Sequence, residues 1–398
     1  MLQNILDVDE LKYYGKKVLM RVDFNVSLDN KGIIGEDYRI RMTIPTIEYL
    51  TRKGARLILM SHLDRPTYHD SKYTLRPVAK RLSEIIPANK VKFVDQSVGP
   101  VVQKVVDKME NGDILLLENL RFHEEEVTND LEFSKKLASL ADIYVNDAFS
   151  TSHRRHASTY GAPNLFDTKV AGLNLKKEVE YLSMIRDSPE KPFILVVGGV
   201  KIKDKIGALE NLLPKADKLL VGGATAYTFL KADGAKTGNS LIDNEHLPWV
   251  NKALSTYRDK IMLPVDHIVS SREEDTSSVS LVKEDIPEGM TGFDIGLETA
   301  QQYSAEISGK TSGSVFWNGP MGLFEIATFA NGTINTAKSM ALAFWRGSKT
   351  LIGGGDTLEA MKRAGVSEAE VSHVSTGGGA TLRFLAGDEM PGIDVLDK

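Results

Sequence analysis

The sequence predicts an α/β protein of two Rossmann-like domains, each a parallel sheet with helices on both faces, joined by a hinge helix. Three observations predict it. Short apolar runs alternate with amphipathic stretches along the chain, as at residues 78–86, 101–109, 133–140, 209–213 and 334–344, and βαβ alternation gives parallel strands covered on both faces. The 398 residues, 42% of them hydrophobic, suffice for two buried cores. Finally, strand-like runs end differently in the two halves. In the first half they end in polar and charged residues: Arg21, Asp23 and Asn25 within 18–26, Ser61-His62-Leu63-Asp64-Arg65 after 57–60, Glu118-Asn119-Leu120-Arg121 after 114–117, and Asn146-Asp147 after 143–145. In the second half they meet glycines: Gly198-Gly199, Gly222-Gly223, Gly353-Gly354-Gly355 and Gly377-Gly378-Gly379. Ligands of open α/β sheets bind outside the carboxyl ends of the strands, so each half should carry one site, the first cationic and the second backbone-lined.

The seam lies between Tyr160 and Pro192. Leu175, Val179 and Leu182 recur at helical spacing among Lys176, Lys177, Glu178 and Glu180, which predicts one amphipathic helix over 172–185. Ser188-Pro189-Glu190-Lys191-Pro192 then breaks it. The expected organisation is an amino-terminal domain over 1–171, an interdomain helix over 172–187, a carboxyl-terminal domain over 188–384 and a terminal peptide over 385–398.

A net charge of -5 and an isoelectric point near 6.0 speak against a general nucleic-acid or membrane binder. The absence of cysteine removes disulfides, thiolate catalysis and cysteine-held metals, and suits a reducing cytoplasm. The segment from Met1 to Asp7 lacks a targeting pattern, and no apolar run approaches the roughly 18 residues that span a bilayer. The expectation is a cytoplasmic protein that engages neither nucleic acid nor membrane.

Arg39, His62, Arg65, Arg121, His153 and Arg154 all fall at or just beyond predicted strand ends. Arginine forks match phosphate and carboxylate oxygens in pairs. As isolated surface ion pairs these residues would each be worth only ~0–1 kcal/mol; their shared placement favours a small, multiply charged anion. His153 and His156 lack the further ligands of a metal site, so phosphate-donor or structural roles fit them better. Asp23 and Asn25, two apart on a strand, would face one side and grip hydroxyl or carboxylate groups.

In the second half, glycines at strand ends let backbone amides and helix starts approach phosphates. Neither a Walker A pattern nor G-x-G-x-x-G occurs. Lys201 and Lys205 would share one face of a helix, either solvated or holding phosphates. Asp356-Thr357 is an N-cap by default and, beside a polyphosphate, a Mg²⁺ ligand. Trp317-Asn318-Gly319-Pro320 and Glu325 offer a rigid turn and an acceptor for ribose hydroxyls.

These motifs resemble phosphoglycerate kinase over essentially the whole chain. The segments are Arg21-Val22-Asp23-Phe24-Asn25-Val26, Ser61-His62-Leu63 with Arg65-Pro66, Leu116-Leu117-Glu118-Asn119-Leu120-Arg121-Phe122-His123, Asn146-Asp147-Ala148-Phe149, Lys201 with Asp204-Lys205, Leu263-Pro264-Val265-Asp266, Trp317-Asn318-Gly319-Pro320, Gly353-Gly354-Gly355-Asp356-Thr357 and Ser375-Thr376-Gly377-Gly378-Gly379-Ala380. The resemblance implies a monomeric glycolytic kinase that transfers a phosphoryl group reversibly between 1,3-bisphosphoglycerate and ADP, giving 3-phosphoglycerate and ATP. It implies that Asp23, Asn25, Arg39, His62, Arg65, Arg121, His153 and Arg154 hold the triose. Lys201, Lys205, Gly222, Gly223, Gly292, Pro320, Glu325, Gly354, Gly355, Asp356 and Thr357 would hold the nucleotide, Asp356 its Mg²⁺, and Arg39, Lys201 and Gly378 would serve catalysis. The domains would close about the helix, and the terminal peptide would return to the first domain.

Asp64, Ser150, Val200, Lys203 and Ala224 depart from the family's usual pattern, Asp64 and Ala224 standing where glycine is usual and Ser150 where glycine or alanine is. An aspartate beside Arg65 would oppose an anion by ~1 kcal/mol at about 4 Å in water, or ~4 kcal/mol at an effective dielectric of about 20, while tolerating a left-handed backbone. The expectation is weakened triose affinity with folding retained, unless its side chain points away. The rival readings are a kinase of another small carboxylate, marked by Asp64 and Ser150, and a nucleotide-binding scaffold without turnover. The intact arginine set opposes the first, and intact Lys201, Lys205, Asp356 and Thr357 oppose the second.

Overall fold

Val18, Leu19 and Met20 are all fully buried, as expected of a parallel strand covered on both faces rather than one that alternates between core and water. The structure, a computed structural model, describes residues 12–29, 31–66, 68–275, 277–309 and 312–397, so the segment read for targeting signals lies outside the described residues. The chain divides into two units, one running to Glu180 and resuming at Glu389, the other Tyr181–Asp388.

The first unit holds a six-stranded sheet of β1 (Lys17–Arg21), β2 (Arg56–Met60), β3 (Val91–Phe93), β4 (Ile114–Leu116), β5 (Ile143–Asn146) and β6 (Lys169–Ala171), ordered β3-β4-β2-β1-β5-β6. Every pairing is parallel, with Leu19 registered between Ile58 and Tyr144. From β1 the chain builds toward β2 on one side and later toward β5 on the other, so the topological switch point lies between β1 and β5. Val78 and Leu82 from helix Arg76–Ile85 and Ile40 and Ile47 from helix Tyr38–Arg52 join the core of this unit.

The second unit holds β7 (Phe193–Val197), β8 (Lys218–Val221) and β9 (Ile261–Met262), then β10 (Asp266–Ser270), β11 (Ser280–Lys283) and β12 (Thr291–Ile295), and then β13 (Ser314–Asn318), β14 (Lys349–Gly353) and β15 (His373–Ser375). Six of them form a parallel sheet ordered β15-β14-β13-β7-β8-β9, with its switch point between β7 and β13. The other three form a separate antiparallel sheet, β11-β10-β12, which the reading of two parallel sheets did not include.

Helix Leu173–Asp187 covers the stretch of amphipathic spacing, with Leu175 and Leu182 fully buried. Its first turn is capped from the first unit: Asp147 Oδ1 accepts from Asn174 N (2.9 Å) and Leu175 N (3.0 Å), and Thr46 Oγ1 accepts from Leu173 N (3.1 Å). The division between units falls within this helix. The terminal segment is held by backbone and amide contacts, Gly392 N to Ser152 O (2.8 Å) and Asn146 Nδ2 to Gly392 O (2.7 Å), with Val395 and Leu396 fully buried.

Three local expectations need correction. β1 stops at Arg21, so Asp23 and Asn25 are not alternating strand residues; Asn25 N donates to Asp23 Oδ1 (3.1 Å), a side-chain turn that competes with the ladder. Arg39 stands in the first turn of a helix, not at a strand end. Lys201 and Lys205 do not share a helix face: a 3₁₀ turn spans Lys203–Lys205 and the α-helix begins at Ile206.

Candidate active site

At the switch point of the first sheet, the segments after β1 and β5 meet through side chains. Asp23 Oδ2 accepts from the Ser150 hydroxyl (2.6 Å) and pairs with the Arg39 guanidinium. His62 follows β2 and is buried, with Nδ1 3.0 Å from Arg21 Nη2. Because a guanidinium only donates, Nδ1 is the acceptor and the ring's proton sits on Nε2. Burial first, then Arg21, Arg121, Arg154 and Arg39, push the His62 pKa well below the ordinary value, so the ring is neutral at pH 7. Arg21 is itself buried; its Nε donates to Ser158 Oγ (2.9 Å), whose hydroxyl donates to Glu126 Oε1 (2.6 Å).

Arg65, Arg121 and Arg154 line a cleft of 670 Å³ together with His156. Burial and the neighbouring arginines bring Arg121 down to about 10, still charged at neutral pH. The same causes hold His156 down at about 3, so it offers a neutral ring. His153 does not line this cleft; its Nε2 accepts from Arg154 Nε (3.0 Å). Asn25 and Asp64 line a different cavity, of 840 Å³, with Ser71 and Tyr73.

Asp64 has φ 56°, the left-handed backbone that aspartate tolerates. Its main chain braces the site: Asp64 N donates to Asn25 Oδ1 (2.7 Å), and Asp64 O accepts from Arg121 Nη1 (2.6 Å). Its exposed carboxylate turns back to the Arg65 amide (2.9 Å) rather than into the arginine cleft, which leaves the low end of the expected repulsion.

The second unit's cleft, 630 Å³, opens at the switch point between β7 and β13. Lys201, Lys205, Gly223, Gly292, Pro320, Glu325, Gly354, Gly355, Asp356, Thr357 and Gly378 line it. Helices Gly223–Ala232, Gly355–Arg363 and Gly379–Ala386 begin at its wall, each bringing the positive end of its dipole there; in the first, Gly223 N and Thr225 N already donate to Met321 O (2.8 Å) and Gly199 O (3.0 Å). Gly354 caps the second of them at φ 99°, a conformation that side chains resist. Gly223 has φ 58°, and an added Cβ would lie 2.5 Å from Gly199 N. Gly222 does not line the cleft. It caps the first helix and packs on Met321, where a Cβ has no room.

Lys205 is nearly buried, and its Nζ donates to Lys201 O (3.0 Å) while Lys201 is exposed. Burial lowers the Lys205 pKa against the pull of Asp204 and Asp356. The Thr357 hydroxyl is committed, donating to Gly353 O (2.9 Å) and accepting from Gly319 N (2.8 Å), so it ties the turn after β13 to the helix start. Asp356 is exposed in the first turn of that helix. Among the described residues no group of three or more His, Cys, Asp or Glu could cage a metal. One carboxylate beside a phosphate-shaped cleft is the donor set Mg²⁺ uses when phosphate oxygens and water complete its shell. Phe293, Leu241 and Leu323 also line the cleft and were not anticipated, because apolar residues in a sequence read as core.

A cluster of arginines at the strand ends of one unit and, in the other, a cleft of helix starts and glycines that suits polyphosphate are the features of a phosphotransferase of the α/β class. The phosphoglycerate kinase family matches residues 8–388. The curated phosphoglycerate kinase of Anaeromyxobacter sp. (strain K) is 45% identical, over 98% of this chain and 99% of its own. That of Gloeobacter violaceus is 46% identical over 96% of each. The solved phosphoglycerate kinase of Coxiella burnetii superposes with a TM-score of 0.84 at 36% identity, covering 98% of this chain and 97% of its own. That of Pyrococcus horikoshii gives 0.86 at 30%, covering 98% of both. The chain belongs to the phosphoglycerate kinase family, whose members are phosphotransferases with a carboxyl group as acceptor. Among the described residues no helix is long and apolar enough to cross a membrane.

Proposed function

We infer that the chain transfers a phosphoryl group reversibly between 1,3-bisphosphoglycerate and ADP, with the triose on the arginine site of the first unit and Mg-nucleotide in the glycine-lined cleft of the second. The carrying observation is that the cleft at the second switch point is walled by three helix starts. In the direction that consumes ATP the nucleophile is a carboxylate already ionised at pH 7, so no general base is needed. The neutrality of His62 and His156 agrees with that, since neither is poised to exchange a proton at neutral pH.

The chain's own work is alignment and charge neutralisation. Arg65, Arg121 and Arg154 bind the triose phosphate, His62 offers its Nε2 proton, and Asp23 and Asn25 receive hydroxyl groups. Arg39 and Lys201 face the migrating phosphoryl group, joined by amides at Gly378. Lys205 and the amides at Gly354 and Gly355 hold the nucleotide phosphates, Gly223 leaves them room by carrying no side chain, and Gly292, Pro320 and Glu325 lie toward the nucleoside. Asp356 holds Mg²⁺, which when bound spreads the negative charge of the phosphate oxygens; Asp356→Asn should raise the Mg²⁺ concentration needed for half-maximal rate about ten-fold, read from a Mg²⁺ titration. Reacting atoms must come within about 3–3.5 Å, and we assign the closing hinge to helix Leu173–Asp187. The cysteine-free composition suits a cytoplasmic enzyme, and we take it to act as a monomer.

The test is Mg-dependent ADP formation from ATP and 3-phosphoglycerate, coupled to removal of the acyl phosphate, with glycerate and other small acids as controls. Turnover with 3-phosphoglycerate alone supports the reading. Turnover with a different acid, or nucleotide binding without turnover on any acid, refutes it.

A further inference from the structure

The hydrogen bond from Ser150 to Asp23 joins the two segments that flank the first sheet's switch point, 127 residues apart in sequence. Ser150 is presented by a braced turn: Ala148 N donates to Asn146 Oδ1 (3.0 Å), and Asp147 is fixed by the amides of Asn174 and Leu175. Its hydroxyl is therefore aimed at Asp23 by the braced main chain that leads into it.

Counting acceptors shows what that contact decides. The arginines of this site only donate, and His62 spends its one acceptor nitrogen on Arg21. Among the residues assigned to the triose, His153 Nε2 already accepts from Arg154, and the acceptors left for a ligand hydroxyl are Asp23 and Asn25. Asn25 Oδ1 already accepts from Asp64 N (2.7 Å). On Asp23, Oδ1 accepts from Asn25 N alone, whereas Oδ2 carries both the Ser150 hydroxyl and the Arg39 guanidinium. A carboxylate oxygen offers about two lone-pair directions, so Oδ2 is saturated and Oδ1 retains one. Without the serine hydroxyl Oδ2 is held by Arg39 and Oδ1 by the Asn25 amide, and the carboxylate is less firmly fixed against a rotation that turns Oδ1 toward Arg39.

We propose that Ser150 is a specificity-determining residue, which with Arg39 saturates Asp23 Oδ2 and holds Oδ1 as the charged acceptor for the 2-hydroxyl of the triose. The proposal rests on the triose reading above. It assigns Ser150 to recognition of one hydroxyl rather than to general affinity for the anion.

Calorimetric dissociation constants of 3-phosphoglycerate and of 3-phosphopropanoate, which lacks the 2-hydroxyl, would be compared in the wild type, Ser150→Ala and Ser150→Thr, each checked for an unchanged melting temperature. Loss of one charge-assisted contact predicts that Ser150→Ala weakens 3-phosphoglycerate about three- to ten-fold and the deoxy compound less than about two-fold, with Ser150→Thr restoring wild-type behaviour. Equal weakening of both ligands, or of neither, overturns the proposal while leaving the triose reading intact. A wild type that binds neither ligand overturns both.

Discussion

The two clefts, read as anion sites, are built by opposite means. The first unit gathers side chains from four separate strand ends, so each contact depends on one residue and its supports: Arg21 behind His62, Ser150 beside Asp23, the Asp64 main chain beneath Arg121. The second unit uses the main chain itself at three helix starts, and its residues matter chiefly for the side chains they lack. A side-chain site can be retuned by single polar substitutions. A backbone site tolerates them but fails when bulk is added.

The largest effect is expected at the two residues proposed to act on the migrating group. Arg39→Ala and Lys201→Ala should each lower kcat by on the order of 10²–10⁴ with smaller changes in KM, measured by steady-state kinetics; unchanged kcat in both removes them from the transition state. Next is bulk in the backbone site. Gly223→Val adds a Cβ 2.5 Å from Gly199 N in a left-handed conformation, which should cost roughly 1–3 kcal/mol of strain and weaken Mg-nucleotide binding more than ten-fold while 3-phosphoglycerate affinity holds. Equal losses of both ligands would dissolve the contrast.

The pH response of the side-chain site comes third. His156 is held at about 3 when folded, against an ordinary 6.5, so the unfolded chain binds the extra proton in between. Its contribution to stability is therefore present above pH 6.5 and lost as pH falls through that window. His156→Gln should show a shallower loss between pH 6.5 and 4 than the wild type, the difference being on the order of 2 kcal/mol by urea unfolding. Identical slopes would mean the ring titrates normally. The smallest effect is Asp64→Gly: with the carboxylate exposed and turned to the Arg65 amide, the triose KM should fall no more than about five-fold, and less at high salt.

The sequence carried the outline of both sites because their elements leave local traces. Glycine clusters mark strand-to-helix turns, and the cleft gathers eleven of the twelve residues read as nucleotide-binding or catalytic in the second half, all but Gly222. What it did not carry is of two kinds. Apolar lining such as Phe293 has no mark that separates it from core, and the small antiparallel sheet includes β11, whose Ser280, Leu281 and Lys283 are exposed and follow no alternation. Contacts that join distant segments are equally silent: Ser150 was visible only as a departure, and Arg21 as one more cation, until Asp23 and His62 were found against them. The reading of Asp23 and Asn25 as strand neighbours failed for a local reason, since the Asp23 carboxylate captures the Asn25 amide.

The division of labour is tested most directly by calorimetric binding of 3-phosphoglycerate and of Mg-ADP to one variant in each site, Arg121→Ala and Gly223→Val. The account predicts that Arg121→Ala weakens 3-phosphoglycerate at least about ten-fold with Mg-ADP unchanged, and that Gly223→Val does the reverse. Loss of Mg-ADP binding in Arg121→Ala, with 3-phosphoglycerate retained, would contradict it.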